Sequence, residues 1–429
     1  MTIKTTYEAF NTALSSLKAI LSDKKSAEAL RNLIFKITDS GVKLIAYNTL
    51  VTCYTDLECS VQGISDNQIE YRQVKADILK VLANFKSLKR TKVESIVIDF
   101  QANYALVSVQ EVASQAIQDD EAIPDVIKSA YRHLSKYRIG SPKLNKGIIK
   151  ELDKKDLSID GVDIPASDLS FYLSALLGTL SSDSKDAISN RINFVGEDIY
   201  TTPQVYFAIM QNRLDKSLRD FVLSYSEAQF IKAYLDGLDL VKFSKTELEN
   251  AVVLKFASQK AVAYVNANTT KGTLDCTAYK THTLTGLAVD KAYFTDILQR
   301  LGNEDTVAIS IQVNDNNTAW GDIESKFTKQ SFSGLKARLD LKDFEDTAYI
   351  RTRDDNSQYL LLEFNIKPEI LKKLFFTQVN PTTPAYLYFE PASNNTGLRL
   401  AVRDETGIWQ TKINALASAS NNFMWEADT

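Results

Sequence analysis

Two histidines, His133 and His282, and three cysteines, Cys53, Cys59 and Cys276, are the whole stock of imidazole and thiol in this 429-residue sequence. Acid–base or nucleophilic chemistry by such groups needs a partner at a set spacing, and none stands beside them in a known pattern. The cysteines match no zinc spacing and are too few for a disulfide framework, so free thiols in a reducing compartment are expected. His133 falls in the basic run YRHLSKYR and His282 at the start of a strand, both ordinary structural settings. Asp354-Asp355, in RTRDDNSQ, reads as a turn former rather than a metal pair. There is no Gly-rich phosphate loop, GxSxG, HExxH or CxxC. No catalytic residue, metal ligand or cofactor is assigned, and the chain is expected not to be an enzyme.

The chemistry that remains is charge. The net charge is −4, yet its distribution is uneven. Val126–Lys150 holds seven Lys or Arg and no acid; Lys75–Lys92 holds six against one, Asp77. Acids collect elsewhere, as in DDE at 119–121 and DETG at 404–407. Such a chain can repel DNA over most of its surface and attract it at one place. A charge run is usually a solvated face. Lys128, Arg132 and Lys136, however, recur at i, i+4 and i+8, one stripe if the segment is helical, with Tyr131 and Tyr137 interleaved and Arg138 following. These four cations are candidate DNA contacts.

The elements that must position these side chains repeat. An extended apolar stretch, a short amphipathic helix and two or three strands recur six times at irregular spacing, with helices starting near Tyr7, Val74, Ser167, Ser226, Asp290 and Lys367. Phe10, Leu14, Leu17 and Leu21 give the first helix one apolar face. In the second, Ile78, Leu82 and Phe85 line one side and Lys80 points away. Asp39-Ser40-Gly41 reads as a hairpin turn. Residues 117–156 break the pattern; a basic helix over Asp125–Tyr137 and a short one over Lys146–Leu152 are expected there. Phe327–Asp346 reads as irregular. The resulting boundaries are 1–116, the basic helical insertion 117–156, 157–280, 281–416, and a tail, 417–429, carrying Phe423, Met424 and Trp425. Composition is that of a soluble globular protein, with 44% apolar and 24% charged residues. No run approaches the length of a membrane span, and MTIKTTYEAF has no signal-peptide core, so a cytoplasmic protein without membrane contact is expected.

Helix followed by strands, twice per domain and three times per chain, resembles the bacterial β sliding clamp. The likeness is strongest over residues 1–112, in ALRNLIFKITDSGVKLIAYNTLVTCYTDLECSV and then QVKADILKVLANF. Leu33–Lys36, Gly41-Val42-Lys43-Leu44 and Ala46-Tyr47-Asn48 hold the family's places, whereas Asn48-Thr49 stands where an acidic residue is common. The insertion is unusual for a cellular clamp and points to a divergent phage or viral member. The resemblance implies an α+β DNA-clamp fold of three domains, each with two helices packed on antiparallel sheets. It implies a head-to-tail homodimeric ring around double-stranded DNA, with basic side chains meeting phosphates irrespective of sequence. The function implied is that of a polymerase processivity factor. The partners implied are DNA polymerase, other replication or transcription proteins and a clamp loader. Lys80, Lys86, Lys89, Arg90 and Lys92, and their equivalents Lys372 and Lys373 in the third domain, would face the hole or its rim. The family's partner-peptide pocket lies between domains two and three; no motif places its residues here. The alternatives are a β-rich virion structural protein and a monomeric, open DNA-binding processivity subunit.

Overall fold

The computed structural model describes residues 1–21, 32–85, 89–180, 190–201, 206–271, 273, 285–289, 296–297, 299–300, 306–325, 328–345, 347, 349–368, 385–391, 397–404 and 409–417. Two compact units result, one of residues 1–167 with 229–268, the other of 168–228 with 269–429. The division falls inside the segment 157–280 that the sequence marks as one domain.

The first unit opens with β1 (Thr2–Thr5), α1 (Tyr7–Ser15) and the single turn α2 (Lys18–Leu21). β2 (Asn32–Thr38), β3 (Gly41–Tyr47), β4 (Val51–Leu57), β5 (Cys59–Gln62) and β6 (Glu70–Lys75) follow, then α3 (Ile78–Ala83), β7 (Thr91–Phe100) and β8 (Tyr104–Ala113). The insertion carries α4 (Gln115–Gln118), α5 (Asp125–Ala130), β9 (His133–Gly140) and α6 (Lys146–Asp153) before β10 (Val162–Pro165). α7 (Ala166–Leu177), β11 (Arg191–Val195), β12 (Asp198–Thr201), β13 (Tyr206–Gln211), β14 (Phe221–Ser224) and α8 (Tyr225–Leu235) come next. β15 (Leu240–Glu247), β16 (Val252–Ala257) and β17 (Ala261–Ala267) complete the first unit.

α1 forms where the apolar period puts it. Thr6 Oγ1 accepts from the Ala9 N–H at 3.1 Å, an N-cap, and Phe10, Leu14, Leu17 and Leu21 are all buried. α1 packs on β4 and β7, and Phe35 of β2 meets Phe100 of β7 edge-on at 5.2 Å. Two sheets share this core: a five-stranded one, β5-β1-β7-β8-β9, and an eight-stranded one, β10-β15-β16-β17-β4-β3-β2-β6. The eight-stranded sheet is continuous because β17 pairs antiparallel with β4, from Ala261↔Thr55 to Val265↔Val51.

Three sequence expectations need correction in this unit. The second helix starts at Ile78 instead of Val74, because Glu70–Lys75 is held as β6 along β2, with Lys75 opposite Asn32. The helix expected over Asp125–Tyr137 stops at Ala130. From His133 the chain is strand, paired with β8 from Glu111↔His133 to Tyr104↔Gly140. Ser135, Tyr137 and Ile139 alternate with the exposed Leu134, Lys136 and Arg138, a period of two that an available ladder turns into strand while an isolated helix stays marginal. The insertion is therefore not simply helical. β15, a strand the sequence reading passed over, joins the eight-stranded sheet.

The second unit holds β11–β14 and a later set: β18 (Gly286–Val289), β19 (Val307–Asn314), β20 (Thr318–Glu324), β21 (Lys329–Arg338), β22 (Ile350–Thr352), β23 (Gln358–Ile366), β24 (Ala385–Pro391), β25 (Gly397–Asp404) and β26 (Trp409–Ala417). They form a thirteen-stranded sheet, β14-β11-β12-β13-β26-β25-β24-β18-β21-β20-β19-β23-β22. Here β13 pairs antiparallel with β26, from Tyr206↔Ile413 to Met210↔Trp409. Phe327–Asp346 is not irregular over its described length: β21 runs through it beside β20, and a 3₁₀ turn spans Leu341–Phe344. Mixed polarity in KQSFSGLKAR hid that strand, since one face is exposed and Gly334 breaks the alternation. The helix expected at Lys367 beyond Pro368, and the tail with Phe423, Met424 and Trp425, lie outside the described residues, as does most of the helix near Asp290.

Candidate nucleic-acid interface

The basic side chains of the first unit fall into separate groups. On α3, Ile78 and Leu82 are buried and Lys80 is 84% exposed, its Nζ 2.8 Å from Asp77 Oδ1. That hydrogen bond holds the Asp77 carboxyl below its usual range. An exposed pair of this kind is weak and can open to a phosphate. Lys89 and Arg90 follow α3 in the loop before β7, both exposed. Their backbone is pinned: Ser114 N–H donates to Arg90 O at 2.8 Å and Ser114 Oγ to Lys89 O at 3.0 Å. The loop is held while the two charged side chains stay in solvent. Lys92 is exposed at the start of β7, opposite Val112. Lys80, Lys89, Arg90 and Lys92 thus come from one short stretch after β6. Lys86, Lys372 and Lys373 lie outside the described residues.

Lys128, Arg132, Lys136 and Arg138 do not form the helical stripe their spacing suggested. Lys128 sits on α5, with Nζ donating to Gln118 O at 2.7 Å and 4.0 Å from Asp125 Oδ1, so its charge is used inside the insertion. Arg132 is exposed in the turn after α5, and Lys136 and Arg138 are exposed on β9. Tyr137 points the other way, its ring 6.0 Å from that of Phe85 beside the end of α3. Lys136 and Arg138 therefore lie on the sheet face turned away from α3, and the Arg138 guanidinium stacks 4.0 Å above the Tyr104 ring.

The rest of the insertion, with residues 157–160 that follow it, straps the outer face of the eight-stranded sheet across the β4–β17 junction, a role the sequence did not disclose. Leu144, Ile148, Leu152 and Leu157 pack on Ile34, Ile45, Tyr54, Ala257, Val262 and Tyr264. The hydroxyls beneath donate upward: Tyr47 to Glu151 Oε2 at 3.2 Å, Tyr54 to Leu152 O at 3.1 Å, Tyr71 to Asp153 and Tyr264 to Asp156 O. Lys255, whose side chain is 8% exposed, donates from Nζ to Asp156 Oδ2 at 2.7 Å, Ser158 Oγ at 3.0 Å and Asp160 Oδ1 at 2.7 Å. Burial opposes the Lys255 charge, but the bonds to Asp156 and Asp160 outweigh it and raise its pKa. Both aspartates are held below their usual range by the same ammonium. The signal in sequence was a lysine inside the apolar strand VVLKFA. Replacing Lys255 with Met keeps the stem and removes the three bonds; backbone amides of residues 156–161 should then exchange about tenfold faster, read by hydrogen–deuterium exchange, while amides of β16 stay protected.

Among the described residues, no group of three or more His, Cys, Asp or Glu side chains is placed to hold a metal. Burial pushes the Cys59 thiol up to about 11 and that of Cys53 further still, so neither is a thiolate at neutral pH. Asp355 Oδ1 accepts from the Ser357 N–H at 2.9 Å, the turn expected of RTRDDNSQ. A cleft of about 730 Å³ between α1, the β2–β3 turn and the turns after α8 and β16 carries Glu8, Asp56, Glu58 and Asp236 against Lys260, a sign that repels phosphate. No described helix is long and apolar enough to cross a membrane.

No family model matches this sequence, and no curated protein matches it. Solved structures do. The DNA polymerase sliding clamp of Bacillus subtilis superposes with a TM-score of 0.66 at 11% identity, over 97% of this chain and 99% of that one. The DNA polymerase III β subunit of Thermotoga maritima gives 0.67 at 10%, over 97% and 100%. The Helicobacter pylori β clamp, solved with a DNA ligase peptide, gives 0.61 at 11%, over 97% and 100%. The chain therefore has the α+β fold of the bacterial sliding clamps over 97% of its length, as the order of its elements implied.

Proposed function

We propose that this chain is a sliding clamp, a non-catalytic processivity factor that encircles duplex DNA and tethers a polymerase. The observation that carries this reading is the coverage: 97% of this chain follows 99–100% of the length of polymerase clamps. Three domains (1–116, 157–280 and 281–416) joined by the strand pairs β4–β17 and β13–β26 fit a head-to-tail homodimer of six domains. Duplex DNA is the ligand, held through phosphates by Lys80, Lys89, Arg90 and Lys92 without reading bases. Lys136 and Arg138, on the other sheet face, are not part of that contact in this reading. DNA-processing enzymes would dock through short peptides, as a ligase peptide does on one neighbour, and a loader ATPase would open the ring in the cytoplasm. Nothing observed favours the virion or open-monomer alternatives.

Topology tests the proposal. After long incubation with a nicked circular duplex, the protein should stay bound through a wash at high salt and leave once the circle is cut. Reversing Lys80, Lys89 and Arg90 to Glu should reduce loading and flatten the salt slope by about three. Equal retention on circular and linear DNA would rule out encirclement.

A further inference from the structure

The sheet surface beneath residues 144–160 is a groove of mixed chemistry. Its floor is apolar, with Ile34, Ile45 and Val262 between the rings of Tyr54 and Tyr264. Its rim carries Tyr47, Tyr71, Lys36 and Lys255, and the polar ends of these side chains reach partners on the strap. Lys36 Nζ donates to Asp153 Oδ1 at 2.8 Å, beside the Tyr71 hydroxyl on the same carboxylate. β2, β3 and β6 thus hold residues 151–153, while β16 and β17 hold residues 156–160. The groove has two halves that meet where β4 pairs with β17.

The strap is lightly held. Of residues 144–160 only Leu152 is buried, and Leu144, Ile148 and Leu157 are partly so. The side chains of Asp156 and Asp160 are 64% and 65% exposed, against 8% for the Lys255 they hold. A segment with so little buried apolar surface opens locally at small cost. The groove, for its part, tolerates being uncovered. Tyrosine has an apolar body and a polar tip, and a lysine stem carries its ammonium to water once the cover leaves. A permanent cover gains nothing from Lys255, since apolar side chains of similar volume commonly stabilise a buried contact as well as an ion pair does.

We infer that this groove is a docking site for a short amphipathic peptide of a partner protein, and that the strap is its tethered competitor. The strap shows what fits. Leu144, Ile148 and Leu152 recur at every fourth position and pack on the floor. Carboxylates follow, Asp153 for Lys36 and Asp156 and Asp160 for Lys255. The partner's peptide therefore carries apolar side chains at i, i+4 and i+8 with carboxylates after them, complementary to the two lysines. Being part of the same chain, the strap competes at an effective concentration on the order of millimolar. A peptide enters when it binds better than the strap or when the strap is loosened. The site lies within the first unit and needs neither a ring nor DNA, so it stands or falls apart from the function proposed above.

The probe is a labelled synthetic peptide with the sequence of residues 144–160, titrated by fluorescence anisotropy into the full chain and two variants. Leu152→Ser with Asp156→Asn loosens the strap and leaves every groove residue in place. The peptide should bind this variant about 30-fold more tightly than the parent, because its competitor is weakened. Adding Lys255→Met should take back about tenfold, because the peptide's carboxylates lose their cation. In the parent, excess peptide should speed hydrogen exchange at the amides of residues 146–153 about threefold while β16 stays protected. No binding to the loosened variant at millimolar peptide, or binding equal to the parent's, would overturn the inference and leave the strap a fixed cover. Binding indifferent to Lys255→Met would overturn it as well. Should the loosened variant fail to fold, exchange in the parent decides, and amides 146–153 unmoved by the peptide would sink the inference.

Discussion

Gly161→Ala is expected to lower the stability of the first unit by about 3 kcal/mol or more, seen as a shift of the denaturant midpoint with loss of exchange protection along β10 and β15. Gly161 has φ +126°, a conformation that L side chains rarely adopt. A Cβ there would stand 2.3 Å from Phe243 O and 2.7 Å from Phe243 C. These are main-chain atoms of β15, one residue from the Val162↔Phe243 pair that attaches β10 to the eight-stranded sheet. No side chain can swing aside, so the strand must leave or the backbone must move. Leaving would expose Ile164, which is 1% accessible. A disfavoured backbone region alone costs about 1–3 kcal/mol, and the lost pairing adds to it. Gly196→Ala is the control: φ is +54° with open space around the site, and the expected loss is about 1 kcal/mol. Equal effects at the two positions would show that the contact with Phe243 is immaterial.

Glu227→Gln is expected to make the second unit more stable at pH 8 by up to about 3 kcal/mol and to change little at pH 4. Glu227 sits in the first turn of α8, only 1% accessible. Its Oε2 accepts from the Ser224 N–H at 2.6 Å while its own N–H donates to Ser224 Oγ at 3.3 Å, a reciprocal capping box. Burial pushes its carboxyl up to about 7, with the Ser224 bonds and the Arg191 charge pulling part of the way back. The folded state therefore holds the proton more tightly than the unfolded chain, whose value is near 4.5. Stability is fully present below about pH 4.5 and is lost as pH rises through about 7; a shift of this size corresponds to about 3 kcal/mol. Glutamine keeps the acceptor of the capping box and has no proton to lose. Melting curves of the parent should fall across that window and those of the variant should stay flat. Parallel pH profiles would show that Glu227 titrates alike in folded and unfolded chains.

The amino-acid sequence by itself determined the local elements whose periodicity matches their burial. α1 is legible because Phe10, Leu14, Leu17 and Leu21 share one face, and Thr6 caps it without help from distant residues. The β2–β3 hairpin is legible for a similar local reason, with apolar runs on both sides of the turn Asp39-Ser40-Gly41. Their order, repeated along the chain, was enough to suggest the clamp fold, since order and hydrophobic pattern survive where identity is near 11%. The tertiary structure alone decided β9. His133–Gly140 supports either a helical stripe or a strand, and the free edge of β8 selects the strand; the spacing of Lys128, Arg132 and Lys136 was therefore a misleading guide. Tertiary structure alone also decided that Lys255 would be held by Asp156, Ser158 and Asp160, about a hundred residues earlier. Neither was legible because a partner at that separation leaves no period in the local sequence. Helix and turn signals come from neighbours within a few residues, whereas strand edges and straps take their meaning from whichever segment the rest of the chain brings against them.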